Sequence, residues 1–101
     1  GIVLTLNINE VTTLDISEKN ISDLTGIEDC LALQDLFLRN NNVSVLDLSN
    51  NINLLQLDAD FNGITSLDVS NSSNLSYITA GWNNLTSIDL SSNIKKTGTD
   101  G

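Results

Sequence analysis

A fixed step of 21 residues governs this sequence. The string Leu-Asp-aliphatic-Ser occurs at Leu14-Asp15-Ile16-Ser17, Leu46-Asp47-Leu48-Ser49 and Leu67-Asp68-Val69-Ser70, with a near copy at Ile88-Asp89-Leu90-Ser91, and the last three stand 21 residues apart. Between them runs a second series with the same step: Leu33-x-x-Leu36-x-Leu38-x-x-Asn41, Leu54-x-x-Leu57-x-Ala59-x-x-Asn62 and Leu75-x-x-Ile78-x-Ala80-x-x-Asn83. Val11-x-x-Leu14-x-Ile16 stands 22 residues before Leu33 and opens the series, with its Asn displaced by one residue to Asn20. Self-similarity of this period is the mark of a repeat architecture.

The spacing dictates the shape. Apolar residues two apart place alternate side chains inward from a short strand. Asn then turns the chain, because its amide can bond backbone groups that the turn leaves unpaired. A second inward-facing stretch follows, so each unit is one coil with a core fed from two sides. No coil can bury that core alone, so coils must stack. Strands are expected at Leu14, Leu36, Leu57 and Ile78, with Leu57, Leu67 and Ile78 fully buried. The return halves should be extended or turn-like, because about ten residues leave no room for a helix. Stacking sets Asn41, Asn62 and Asn83 in an asparagine ladder, with a second partial column at Asn53 and Asn74. Residues 1–10, where Ile2, Leu4, Leu6 and Ile8 alternate with polar or smaller residues, are expected to form a strand capping the first coil. The coils occupy 11–93. Residues 94–101 break the pattern and should be a frayed tail or linker, leaving an uncapped last coil open to edge-to-edge self-association.

The motif Leu-x-x-Leu-x-Leu-x-x-Asn resembles the signature of the leucine-rich repeat family. Asn20-Ile21-Ser22-Asp23-Leu24-Thr25-Gly26-Ile27 is similar to the internalin type of bacterial surface repeat. Residues 85–93 resemble the Asn- and Ser-rich repeats of secreted Bacteroidetes-type proteins. The resemblance implies a mainly β solenoid, a right-handed coil of about four repeats with a short parallel sheet and almost no helix. It also implies an extracellular or cell-surface bacterial setting. Ala59 and Ala80 depart from the signature and narrow the core, and Ser72 stands where the return half otherwise has Asn51 and Asn93.

Composition removes several functions. Thirteen acids against four bases give a net charge of −9, so Lys19, Arg39, Lys95 and Lys96 cannot form a phosphate-binding stripe. With no His and only Cys30, a structural zinc site has too few ligands, an internal disulfide is impossible and a thiol nucleophile has no His partner. Cys30 is expected to be a small buried residue. No apolar run is long enough to span a membrane as a helix. No cofactor or metal is expected. The absence of Met, even at position 1, fits a processed or excised chain.

Function must then lie on the side chains between the core positions. Counting from the first apolar residue of each coil, position three holds Thr13, Asp35, Gln56 and Tyr77. Position five holds Asp15, Phe37, Asp58 and Thr79. Position seven holds Ser17, Arg39, Asp60 and Gly81, and position eight holds Glu18, Asn40, Phe61 and Trp82. All four aromatics of the chain fall in these columns. Phe37 and Tyr77 should stand out from mid-strand as binding residues, whereas Phe61 and Trp82 should lie flat over the rim and cover the Asn column. Arg39 and Asp60 should pair across adjacent coils. On the opposite side, Asp47, Asp68 and Asp89 form a carboxylate column at a spacing of about 4.8 Å. Hydrogen bonds to turn N–H groups and to Ser49, Ser70 and Ser91 should offset their repulsion. A cation between coils would need more oxygens than one column offers.

These columns give the candidate ligand face: Asp35, Phe37, Arg39, Gln56, Asp58, Asp60, Tyr77, Thr79 and Trp82. A protein partner bound on this concave strand face, by a non-catalytic module, is the first expectation. The alternative is a glycan stacked on Tyr77, Phe37 and Trp82, with Asp35, Asp58 and Asp60 accepting from its hydroxyls.

Overall fold

The computed structural model describes residues 8–86, 88 and 93. Four three-residue strands form one parallel sheet in the order β1 (Thr13–Asp15), β2 (Asp35–Phe37), β4 (Gln56–Asp58), β6 (Tyr77–Thr79). The return halves contribute β3 (Val45–Asp47) and β5 (Ser66–Asp68), which pair in a second, two-stranded parallel sheet. Leu14, Leu36, Leu57 and Ile78 are in direct register across the first sheet, as the repeat spacing requires. Among the described residues the only helical elements are 3-10 turns at Ile8–Glu10 and Ile27–Asp29.

The capping strand expected over 1–10 is corrected at its end, since Ile8–Glu10 is a 3-10 turn; its first seven residues lie outside the described set. The expected tail and open last edge, 94–101, lie outside it as well.

The core is a continuous stack. Leu33, Leu36, Leu38, Leu48, Leu54, Leu57, Ala59 and Ile64 have no solvent-exposed surface. Leu67 departs from expectation: it is half-buried and packs at the margin of the core, although its register partner Leu46 is buried.

Each turn is closed by the Asn of the following coil. Asn41 Oδ1 accepts from Lys19 N–H at 3.1 Å and Ile21 N–H at 2.9 Å, and its Nδ2 donates to Ile16 O and Leu38 O. Asn62 accepts from Val43 N–H at 3.1 Å and donates to Leu38 O and Ala59 O. Asn83 accepts from Asn62 N–H and Ile64 N–H and donates to Ala59 O and Ala80 O.

A second buried column occupies the opposite corner, and it is Cys30, Asn51, Ser72 and Asn93 rather than Asn53 and Asn74, which are exposed. Asn51 donates to Ile27 O and Cys30 O, Ser72 Oγ to Asn51 O, and Asn93 to Val69 O and Ser72 O. Its members are also 21 apart; the repeat already aligns Ser72 with Asn51 and Asn93, and the structure adds Cys30.

Candidate functional site

The outer face of the four-stranded sheet carries the side chains of positions three and five. The backbone beyond each strand then takes a left-handed residue immediately before the next one of the Asn column, or before Lys19 in the first coil. Those residues are Glu18, Asn40, Phe61 and Trp82, at φ 57°, 60°, 58° and 58°. Asn tolerates this conformation, because its short side chain bonds locally, but a bulky aromatic is an outlier there. Strain of about 1–3 kcal/mol accompanies such a residue.

Phe61 and Trp82 do not lie flat over the rim. Their rings stack on one another, with centroids 5.6 Å apart and planes 7° from parallel. Trp82 is 76% exposed and Phe61 41%. The Arg39 guanidinium sits 5.9 Å from the Phe61 ring centroid, so a cation and two aromatic rings form one cluster. Arg39 also bonds Asp60 at 3.0 Å and Asp58 at 3.4 Å, joining the expected partner to a second one.

The carboxylates are bonded from within. Asp58 Oδ1 accepts from Thr79 Oγ1 at 3.0 Å and Asp60 N–H at 3.3 Å, and its Oδ2 faces Arg39. Asp60 Oδ1 accepts from Gly81 N–H at 2.7 Å, and its Oδ2 takes the other Arg39 bond. Thr79 is thus a holder of Asp58 rather than a free hydroxyl. Asp35 is half-buried and accepts from Thr13 at 3.3 Å. Gln56 is exposed in register between Asp35 and Tyr77. Tyr77 is 41% exposed, as its mid-strand position requires. Phe37 is half-buried between Asp15 and Asp58 and presents less surface than its position implied.

Of the four aromatics, Trp82 is the most exposed, Tyr77 and Phe61 are equally exposed, and Phe37 is half-buried. The feature the repeat spacing did not reveal is the backbone of the position-eight column: a site that turns left-handed, where Asn40 is at ease, is occupied by Phe and Trp in the next two coils.

On the opposite side, Asp47 accepts from Ser49 N–H at 2.9 Å, and Asp68 from Ser70 N–H at 3.0 Å and Ser70 Oγ at 2.6 Å. The Ser49 hydroxyl and N–H hold the Asp47 carboxyl below the usual carboxylate range. Each carboxylate is tied to its own turn, which offsets the repulsion across the Asp47–Asp68 register. Asp89 lies outside the described residues.

A scan against protein-family models and a search of curated proteins find no match. Among solved structures, the functional domain of InlJ from Listeria monocytogenes, described as including a cysteine ladder, superposes with a TM-score of 0.83 at 41% identity. The match covers 85% of this chain and 19% of that one. The chain is an internalin-like leucine-rich repeat coil. Its own single Cys30 begins the buried Cys-Asn-Ser-Asn column, where burial, then the charges of Asp29 and Glu28, push the thiol's pKa up. Within the internalin-like coil Cys30 is thus a packing residue.

Proposed function

We propose that this chain is a non-catalytic protein-interaction module of a bacterial secreted or cell-surface protein, its partner bound across the four-stranded sheet face around Arg39, Phe61, Tyr77 and Trp82. The observation that carries this reading is the Phe61–Trp82 stack held at left-handed backbone positions. Stability alone does not account for it. Aromatic stacking contributes about 0.5–1.5 kcal/mol, which the backbone strain of two bulky residues offsets. Residues retained against such a cost, in solvent, have the chemistry of binding hot spots.

The internal bonding of Asp58 and Asp60 favours a protein over a glycan. Their four oxygens already accept bonds from Arg39, Thr79, Gly81 and Asp60 N–H, which leaves fewer of their lone pairs for a glycan's hydroxyls. The same bonds fix the cluster before a partner arrives, which limits the ordering entropy lost on binding.

The test is capture from bacterial and host surface-protein extracts alongside a glycan array. Trp82→Ala and Tyr77→Ala should each weaken protein capture by more than about 1 kcal/mol, while Thr65→Ala on the return half leaves it unchanged. Glycan binding that survives Trp82→Ala, or capture lost with Thr65→Ala alone, would refute the assignment.

A further inference from the structure

The β3 edge facing the first coil is open. Between the third coil and the second, backbone bonds run from Gly63 N–H to Val43 O and from Thr65 N–H to Ser44 O, leading into the β3–β5 pairing. Between the second coil and the first, the corresponding contact is Asn42 N–H to Ile21 O, and the two segments then part. The chain departs there because Asp23 draws in the N–H and hydroxyl of Thr25, Gly26 turns at φ 107°, and Ile27–Asp29 tightens into a 3-10 turn. A cleft of about 320 Å³ separates this segment from β3.

Backbone groups in a parallel strand alternate sides. Ser44 O and Leu48 N–H bond toward the following coil, to Thr65 and Asp68. The N–H and C=O of Val45 and Asp47 therefore face the cleft, and no backbone bond to residues 22–28 takes them up among the described residues. The cleft floor is apolar, from Leu24 and Leu46, while Asp23, Glu28 and Asp47 stand at its walls and no basic residue lines it. Val45 is 61% exposed beside it. Proteins usually guard such an edge with charged side chains, Pro, a bulge or a short strand; this one has three residues with no Lys or Pro, and its only charge is the acidic Asp47.

We propose that the β3 edge is a second docking site, independent of the sheet-face reading, which takes an extended peptide segment of a basic partner by strand addition. Val45 and Asp47 would supply up to two N–H and two C=O groups to the incoming strand, the mode by which exposed sheet edges capture peptides. Asp23, Glu28 and Asp47 select lysine or arginine side chains, and the acid-walled edge disfavours an acidic segment.

The probe is a blocked octapeptide alternating lysine and valine, titrated into the whole chain and followed by backbone amide shifts in heteronuclear NMR. Saturable shifts should centre on Val45, Asp47 and residues 24–28. The same peptide with glutamate for lysine should bind at least about tenfold more weakly. A version N-methylated on alternate backbone nitrogens should lose binding, because it cannot pair. Val45→Pro removes a cleft-facing donor while sparing the Ser44 and Leu48 bonds, and should also abolish it. No shifts at millimolar peptide, equal binding by the N-methylated or glutamate peptide, or shifts centred on Tyr77 and Trp82 would each overturn the proposal.

Discussion

Replacing the turn asparagines one at a time should give unequal losses, and the bonding predicts their order. Removing Asn62 looks severe, since its amide touches several backbone groups, but most of them have a second partner. Leu38 O also accepts from Asn41, Ala59 O from Asn83, and Asp60 O from Asn40 N–H. Only Val43 N–H is stranded outright. Asn41 differs: its loss strands Lys19 N–H, Ile21 N–H and Ile16 O together, while Leu38 O keeps Asn62. A stranded, part-buried group costs about 1–3 kcal/mol. Asn62→Ala should therefore cost about 1–3 kcal/mol and Asn41→Ala, with three stranded groups to one, about two to three times as much. Urea denaturation followed by far-UV circular dichroism measures both, with the midpoint compared at constant slope. Equal losses, or a larger loss for Asn62→Ala, would refute the idea that shared carbonyls protect the middle of the column.

Further outcomes follow from burial and ionisation. Leu57→Ala, in the closed centre of the stack, should cost about 2–5 kcal/mol by leaving a cavity, whereas Leu67→Ala at the margin should cost less than about 2 kcal/mol; thermal melts that rank them the other way contradict the packing described. The Ser49 bonds depress the folded pKa of Asp47 below its unfolded 3.8, so its contribution is present above that value and lost as pH falls through the folded one. The stability gap between the parent and Asp47→Asn should accordingly shrink in acid, and a gap independent of pH would argue against those bonds. Cys30, buried and with its pKa raised, should resist a thiol reagent until urea unfolds the chain; rapid labelling of the native form would place it at the surface.

The strands were legible because their constraint is periodic. Leu14, Leu36, Leu57 and Ile78 each lie in the same frame of the motif, and a core position two residues from another admits few alternatives. The Arg39–Asp60 pair was legible for a related reason, since two residues in one column on adjacent coils must meet. What escaped was set by backbone conformation and by composite columns. Nothing in Phe61 or Trp82 announces a positive φ; only their alignment with Asn40 does. The alignment of Ser72 with Asn51 and Asn93 was legible, but only a spatial frame shows that Cys30 opens the same buried corner. Leu67 escaped because its motif copies that of buried Leu46, while burial at the margin depends on the next coil.

The direction of the asparagine bonds gives the coil a polarity in time. Asn41, Asn62 and Asn83 each complete the turn of the coil before their own, through amides of Lys19, Ile21, Val43, Asn62 and Ile64. On a ribosome, which releases the amino-terminal end first, every turn must wait with bare donors until about one further repeat has emerged. Assembly thus lags synthesis by one coil, and a stalled chain always ends in an unfinished turn. Shortening the protein from its carboxyl end should loosen the coil that precedes the cut, whereas trimming from the amino end removes donors and leaves the later turns closed.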